Sequence, residues 1–152
     1  MTVKEVMNTA VATCAPDSDL VSAVEIMREH ACGFLPVVDS HGILVGVVTD
    51  RDVCMAAGTK QRLLARVSVK ETMSHPVFSC FADENLKRVL TTMAKHRVRR
   101  LTVLNKSGHL EGVLSIDDIV HAPPRRGVPT AEDIVTALKT IYTRRAVEAV
   151  TA

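Results

Sequence analysis

The sequence predicts an α/β protein of the α+β type, built from two copies of one strand–helix–strand–strand–helix unit and a C-terminal helix. The first observation is a repeat: residues 46–52 read GVVTDRD, and residues 112–118, 66 positions later, read GVLSIDD. The second is the apolar pattern, which changes within each copy from helical spacing to continuous runs rich in β-branched residues. Two copies in one chain predict a pair of units related by pseudo-twofold symmetry.

The repeat extends well beyond these two heptapeptides. VKEVM at 3–7 aligns with VKETM at 69–73, and the halves align without a gap from Val3 to about Val53. Pairs in this register include Val11 and Val77, Cys14 and Cys80, Leu20 and Leu86, Met27 and Met93, and His30 and His96. We divide the chain into a first repeat at 1–58, a linker at 59–68, a second repeat at 69–121, and a Pro-rich linker with an amphipathic helix at 122–152.

The first repeat predicts a helix followed by a hairpin and a second helix. One helix face is formed by apolar residues at i, i+3, i+4 and i+7, namely Leu20, Ala23, Val24 and Met27, and Asp17, Ser18 or Asp19 is available as the N-cap. Short apolar runs at 34–39 and 43–49 are separated by the turn residues Ser-His-Gly, which is a hairpin pattern. The helix that starts at Asp50 is expected to stop at Gly58.

The second repeat predicts the same elements in the same order. A helix is expected over about 85–97, strands at 100–105 and 110–115, and a further helix from Ile116. The strands are continuously apolar, so helices must cover them.

The chain beyond the repeats predicts one more helix. HAPPRRGVP at 121–129 cannot continue a helix. A new helix is expected within 129–150, with Thr130 as N-cap and acidic residues in its first turn. Its single apolar stripe, at Ile134, Leu138 and Ile141, predicts packing on the protein's own core or on a sister subunit.

Composition excludes several classes of protein. Of the 152 residues, 47% are apolar, and the net charge of +2 results from mixed signs, so nucleic acid is not an expected partner. No apolar run approaches the roughly 20 residues of a spanning helix, so a membrane is not an expected partner either. The segment 6–15 is short, polar-interrupted and preceded by Glu5, which argues against a signal peptide, and we expect a cytoplasmic protein. The four cysteines form no CxxC motif, and the histidines lack metal-ligand spacing, so no metal site is predicted.

The repeated motif at 46–52 and 112–118, which we call the phrase, places a hydroxyl and a carboxylate at the start of a helix. Thr49 and Asp52 in the first copy correspond to Ser115 and Asp118 in the second. One interpretation is a capping box, in which the aspartate only reaches back to the backbone of the hydroxyl residue. The other is a ligand seat, since such a helix start binds phosphate or hydroxyl groups and a carboxylate accepts hydrogen bonds from a ribose diol. A glycine stands three residues before each hydroxyl residue, at Gly46 and Gly112. A glycine inside a strand often marks the close approach of a ligand or of another backbone.

An arginine cluster precedes one strand of the second copy. Arg97, Arg99 and Arg100 stand where the first copy has uncharged residues, with Phe34 opposite Arg100. A solvated helix end explains such a cluster, and so does a phosphate clamp, to which Arg51 would add. Because the arginines belong to the second copy, we expect Asp118 and Arg100 to matter most for binding.

The duplicated unit resembles a tandem pair of CBS domains, the Bateman module, over about residues 1–121. The resemblance rests on the VxxVM opening, the P/A-D-x-x-L helix start, the RRLxVL strand and the closing Gly-apolar-apolar-hydroxyl-x-x-Asp phrase, which occurs twice in an ungapped register. It implies two units packed sheet to sheet about a pseudo-twofold axis, with two clefts that take AMP, ADP, ATP, NAD(H) or S-adenosylmethionine. Thr49 and Asp52 would serve one cleft and Ser115 and Asp118 the other, while Arg100, with Arg99 beside it, corresponds to a phosphate-contacting position.

The resemblance also implies residues that flank the base. These are Thr13, Cys14 and Ala15, with Phe34, Leu35 and Pro36, in one group, and Ser79, Cys80, Phe81 and Leu101 in the other.

We expect a regulatory module, because no residues assemble a catalytic site in the sequence. Its expected partners are a nucleotide, a second copy of itself in a homodimer and an effector protein in trans. Two other classes stay open: a ligand-free dimerising scaffold and, less favoured in so short a chain, a nucleotide-dependent enzyme.

Overall fold

The computed structural model describes residues 1–143 and contains five α-helices and five strands in that range. The first repeat contributes α1 (Leu20–Glu29), β1 (Phe34–Val38), β2 (Leu44–Thr49) and α2 (Asp50–Thr59). The second contributes β3 (Ser79–Phe81), α3 (Leu86–His96), β4 (Arg100–Leu104), β5 (Leu110–Ser115) and α4 (Ile116–Val120), and α5 (Ala131–Tyr142) follows. Short 3₁₀ turns lie at Val3–Glu5, Leu64–Arg66 and Val69–Glu71. The mixed α+β class is confirmed.

Each repeat forms its own small sheet. β1 and β2 form an antiparallel hairpin, and β3, β4 and β5 form a three-stranded sheet in which β3 is parallel to β4. In the first repeat the expected leading strand is reduced to one parallel bridge, between Cys14 and Val37. Cys14 exchanges backbone hydrogen bonds with the partner strand on both sides, but Pro16 has no N–H with which to continue the ladder.

Side-chain caps set the starts of the helices. Of the three candidates at the start of α1, Asp19 is the cap, and its Oδ1 accepts a hydrogen bond from Ser22 N at 2.9 Å. The predicted cap of α5 at Thr130 is confirmed.

The predicted helix stop at Gly58 is wrong. The helix α2 continues through Gly58 to Thr59, and Lys60 is its C-cap. The chain adopts a left-handed backbone conformation only after the helix, at Gln61 (φ 49°). A glycine ends a helix only where the backbone turns left-handed, and here that turn lies three residues later.

The two hydrophobic cores exchange parts of their leading segments, which are residues 1–12 of the first repeat and 69–78 of the second. Val3, from the start of the first repeat, is fully buried in the core of the second, where its N–H donates to Glu84 O at 3.0 Å. Val67, at the end of the linker, and Val69, at the start of the second repeat, are fully buried in the core of the first. The N–H of Val69 donates to Ser18 O at 2.8 Å. Each core is therefore completed by chain from the other repeat.

The two units meet with their sheets facing each other, as the resemblance implies. The hairpin turns touch through a bridge between Ile43 and His109. On the facing surfaces, the guanidinium carbon of Arg100 lies 5.9 Å from the centre of the Phe34 ring.

The C-terminal helix packs on the core of its own chain. Ile134, Leu138 and Ile141 lie against the second core, and the Lys87 Nζ on α3 lies 3.2 Å from the Asp133 carboxylate. The rest of the predicted helix, 144–150, lies outside the described residues. Within residues 1–143, none of the helices has both the length and the apolar character needed to cross a bilayer.

Candidate ligand-binding clefts

Two clefts lie between the repeats, one at each repeated phrase. The first cleft, of about 360 Å³, contains Thr49 and Asp52, and the second, of about 200 Å³, contains Ser115 and Asp118. The first is also lined by Phe34, Val47, Ser74, Pro76, Val77, Phe78, Val98, Arg99 and Arg100. The second is also lined by Asn8, Ala10, Val11, Ala12, His30, Cys32, Gly33, Phe34, Arg100 and Val113. Each cleft thus combines a phrase from one repeat with the leading segment of the other.

The first phrase forms a complete capping box. Thr49 N and Thr49 Oγ1 both donate to Asp52 Oδ2, at 2.9 and 2.7 Å, and Asp52 N donates to Thr49 Oγ1 at 3.2 Å. The second phrase repeats this arrangement, with Ser115 N and Oγ at 2.7 and 2.6 Å from Asp118 Oδ2. The capping interpretation is therefore confirmed in both copies.

The capping box leaves a defined set of atoms for a ligand. Both phrases are partly exposed, and within residues 1–143 Oδ1 of Asp52 and of Asp118 receives no hydrogen bond. The proton of each hydroxyl is already directed at the aspartate. What each phrase offers is therefore acceptor atoms, which suit the hydroxyl donors of a ribose diol and do not suit a phosphate.

The glycine before each phrase makes room for protein and not for a ligand. A Cβ at Gly112 would lie 2.7 Å from Asn8 O, where the leading segment pairs with β5. A Cβ at Gly46 would collide with the side chain of Met73. Of the two explanations that the sequence left open, the close approach of another backbone is seen at Gly112, whereas at Gly46 the space is taken by the Met73 side chain.

The arginines lie in the cleft of the other repeat's phrase. Arg99 lines the first cleft, together with Thr49 and Asp52, and Arg100 lines both clefts. Arg97 is the left-handed C-cap of α3 (φ 55°) and lines neither. The expectation that tied the cluster to Asp118 is therefore corrected: only Arg100 is shared with that cleft, because each cleft takes its two sides from different repeats.

Both cleft arginines are available to an anion. Within residues 1–143, no carboxylate oxygen lies within 4.0 Å of the guanidinium of Arg99 or Arg100. Arg99 Nη1 donates to the hydroxyl of Tyr142 on α5 at 3.3 Å, so this arginine also connects the first cleft to the C-terminal helix. Guanidinium groups of this kind bind phosphate through paired, charge-assisted hydrogen bonds.

The structure does not bring the other predicted residues into the clefts. Leu35, Pro36 and Leu101 are buried, and Ser79 Oγ pairs with Thr102 Oγ1 at 2.7 Å. Phe81 is 47% exposed, outside both clefts. Thr13, Ala15 and Arg51 do not line either cleft, and Cys14 and Cys80 are buried in the cores. On the strands, alternation of side chains turns Leu35 and Leu101 toward the helices and leaves Phe34 and Arg100 facing the clefts.

Sequence reasoning missed the leading segments as cleft walls. The first cleft is lined by Ser74, Pro76, Val77 and Phe78, and the second by Asn8, Ala10, Val11 and Ala12. Among them, Phe78 is 39% exposed and its ring stacks on His96 with centroids 4.1 Å apart. The alignment of the two repeats did contain a signal for these walls. Val11 and Val77 are a matched pair in that alignment, and they line equivalent places in the two clefts.

Two of the four cysteines are buried thiols, and the described residues contain no cluster of metal-ligating side chains. Burial raises the pKa of the Cys14 thiol to about 11 and that of Cys80 to about 12, so both are neutral at pH 7. Residues 1–143 contain no group of three or more histidine, cysteine or acidic side chains placed to hold a metal ion.

Comparison with known proteins identifies the repeated unit. The family model of the CBS domain matches twice, at residues 3–58 and 69–125. The CBS domain-containing protein YhcV of Bacillus subtilis is 33% identical over 117 residues, which cover 77% of this chain and 81% of that protein.

Two solved structures of similar fold contain adenosine ligands. The CBS domain pair of protein MJ0100, in complex with 5-methylthioadenosine and S-adenosyl-L-methionine, matches with a TM-score of 0.72 and 25% identity over 79% of this chain and 93% of that one. CBSX2 in complex with AMP matches with a TM-score of 0.71 and 27% identity over 80% of this chain and 94% of that one.

Proposed function

Since this chain belongs to the CBS domain family, we propose that it is a regulatory module without catalytic activity, which binds an adenine nucleotide between its two repeats. The candidates are AMP, ADP, ATP, NAD(H) and S-adenosylmethionine. The signal passes to a separate effector protein in trans. We place the module in the cytoplasm, where these nucleotides are available.

One observation carries this proposal: acceptor groups for a ribose and donor groups for a phosphate line the same cleft. Asp52 Oδ1 is open to the diol, and Arg99 and Arg100 lie across the cleft from it without carboxylate partners within residues 1–143. A nucleoside phosphate presents the matching groups at its two ends. The adenosine ligands of the two similar structures support adenine as the base.

A thermal-shift experiment tests the proposal. A ligand that binds only the folded protein stabilises it, by about 2.7 kcal/mol at a concentration 100 times its Kd. We expect at least one of AMP, ATP, NADH and S-adenosylmethionine to raise the melting temperature, and we expect none to be consumed on prolonged incubation. Turnover of the nucleotide would contradict a module without catalysis.

A dimerisation scaffold with empty clefts is the second candidate. The capping boxes favour it, because Oδ2 of Asp52 and of Asp118 is satisfied without a ligand. In that case none of the four ligands would shift the melting temperature of folded protein.

We expect a homodimer under either candidate. Val21 and Val24 on α1 are each 40% exposed and Met55 on α2 is 56% exposed, whereas Leu90, the counterpart of Val24 on α3, is 3% exposed because α5 packs on that helix. An apolar face left open in one repeat is suited to burial against a second copy, and twofold dimers are the commonest closed assembly. Light scattering at micromolar protein tests this, and a mass of 16.5 kDa would contradict it.

A further inference from the structure

The repeat makes the two clefts comparable position by position. Residues that differ by 66 in number occupy equivalent places: Thr49 corresponds to Ser115, Asp52 to Asp118, and Val47 to Val113. These three pairs are chemically alike. Differences between the clefts are therefore confined to the other walls and can be attributed to single residues.

The first difference is one of charge. Where the first cleft has Arg99, the second has Gly33. Gly33 has no side chain because the carboxylate of Asp50 occupies the space that its Cβ would take. The first cleft thus has a cation at this wall, whereas the second has none there, and the Asp50 carboxylate lies beside its wall residue Gly33. The counterpart of Asp50 in the second repeat is Ile116, which brings no charge toward Arg99.

The second difference is an aromatic wall. The first cleft has Phe78, and the second has Ala12 at the equivalent position. The Phe78 ring is held by its stacking on His96, so one face is fixed and the ring remains 39% exposed. An aromatic ring at a cleft wall suits a planar base. The first cleft is also the larger, at about 360 Å³ against about 200 Å³.

The remaining charged residues do not reverse this contrast. Arg100 lines both clefts and so does not distinguish them. Asp117 lines a separate cavity of about 250 Å³ with Arg99 and Arg100, and its carboxylate is not within 4.0 Å of either guanidinium. His30 is an exposed wall residue of the second cleft.

We propose that the clefts have diverged in ligand class, and that the first cleft is the site of an adenosine ligand with a 5′-phosphate, whereas the second discriminates against the phosphate. This inference rests on the proposed function, which it refines by assigning a ligand class to each cleft. In the first cleft Asp52 accepts the ribose hydroxyls, Arg99 and Arg100 bind the phosphate, and Phe78 packs on the base. In the second cleft the wall residue Gly33 supplies no cation, and the Asp50 carboxylate that lies beside Gly33 disfavours a phosphate, which is a specificity element of the repulsive kind.

The phosphate competes with an internal partner of Arg99. The hydroxyl of Tyr142 is a neutral acceptor at 3.3 Å, a long hydrogen bond. A phosphate forms charge-assisted bonds roughly twice as strong as neutral ones. The guanidinium is therefore free to turn to the ligand.

Isothermal titration of the full chain with AMP and with adenosine tests the inference. We expect wild-type protein to bind one AMP per chain, and Asp52→Asn to weaken AMP binding about tenfold or more, because a hydrogen bond to a charged group is lost. Asp118→Asn should weaken it by a much smaller factor. Arg99→Gly, which installs the residue of the other cleft, should weaken AMP binding about tenfold and adenosine binding by less than about threefold. Phe78→Ala should weaken both ligands.

Arg97→Ala is the matched control, because it removes a nearby positive charge that lines neither cleft. It should leave both affinities unchanged. Since Asp52→Asn also alters a helix cap, its melting temperature is measured without ligand, and Arg99→Gly, which leaves the cap intact, gives an independent result.

The outcomes separate the inference from the proposed function. Two equal AMP sites per chain, or a greater loss of AMP affinity in Asp118→Asn than in Asp52→Asn, would overturn the assignment of clefts while leaving nucleotide binding in place. If neither AMP, adenosine, ATP, NADH nor S-adenosylmethionine binds folded wild-type protein, the proposed function fails, and the inference fails with it.

Discussion

Gly112 and Gly58 differ in what a Cβ atom would contact if alanine replaced the glycine. Gly112 lies where β5 pairs with the leading segment, and a Cβ there would lie 2.7 Å from Asn8 O. Gly58 lies inside α2, and a Cβ there would have nothing within 4 Å. The first glycine is required by packing, and the second only adds flexibility to the unfolded chain.

The substitutions Gly112→Ala and Gly58→Ala should therefore change stability in opposite directions. Gly112→Ala forces the backbone of β5 and the leading segment apart and should lower the free energy of unfolding by about 1–3 kcal/mol. Gly58→Ala should raise it by about 0.5–1 kcal/mol, the advantage of alanine over glycine in a helix. Urea denaturation measures both, and a loss of stability in Gly58→Ala would contradict the helical placement of this residue.

The roles of individual site residues were only partly predictable. Thr49, Asp52, Ser115, Asp118 and Arg100 could be identified, because a hydroxyl and a carboxylate at a strand-to-helix junction constrain each other locally. Phe78 could not, since its place in the first cleft depends on contacts between the repeats and on its stacking with His96.

Carboxylate side chains accept backbone hydrogen bonds at the starts of several helices and 3₁₀ turns. Backbone N–H groups lower the pKa of Asp19 at α1 and of Asp133 at α5, through Ser22 and Thr130 respectively. The same kind of hydrogen bond, from Thr2 and Ser68, lowers the pKa of Glu5 and Glu71 in two 3₁₀ turns. The folded state thus favours the charged forms.

These caps predict a loss of stability in acid. The folded-state pKa values lie below the ordinary values of 3.8 for Asp and 4.5 for Glu, so the caps stabilise the fold fully above those values. Their contribution is lost as the pH falls through the lowered folded-state values. The melting temperature should be nearly constant from about pH 7 to 5 and fall below about pH 4.5.

Asp19→Asn tests the assignment of this acid sensitivity, because asparagine still caps a helix but does not titrate. It should reduce the fall in melting temperature between pH 5 and 3, as followed by circular dichroism at about 1-unit steps. Asp17→Asn is the control. Asp19 accepts hydrogen bonds from Ser22, whereas the side chain of Asp17 takes part in no hydrogen bond within residues 1–143. Equal pH profiles for Asp19→Asn and wild type would contradict the role of this cap.

Most elements were predictable because their signals are local. The bounds of β1, β2, β4 and β5 agree with the sequence within one residue, since hairpin turns and apolar runs mark them. The absence of a full leading strand in the first repeat was not predicted, because it depends on Pro16, which interrupts the ladder with β1. The end of α2 was not predicted either, because the left-handed turn lies at Gln61 and not at Gly58.

The exchange of leading segments makes the two repeats depend on each other for their hydrophobic cores. Val3 and Val69 are fully buried in the core of the opposite repeat. Neither core is complete without chain from the other half, and the same exchange builds the two clefts. The exchange involves residues far apart in sequence, and for this reason the placement of Arg99 in the same cleft as Asp52 could not be predicted from the order of the residues.

Unfolding should therefore be a single cooperative transition. Val3→Ala and Val69→Ala should each lower the free energy of unfolding by about 1–3 kcal/mol, because each removes two buried methyl groups. Val21→Ala is the control, since Val21 is 40% exposed on α1. Calorimetry with two separate transitions, or a Val3→Ala variant in which only the first repeat melts early, would contradict the exchanged cores.

The assignment of the nucleotide to the first cleft is tested most directly by a crystal structure of the protein grown with saturating AMP. We predict one AMP in the first cleft, with its ribose hydroxyls within hydrogen-bond distance of the Asp52 carboxylate and its phosphate bound by Arg99 and Arg100. Empty clefts, or AMP bound elsewhere on the protein, would contradict this assignment.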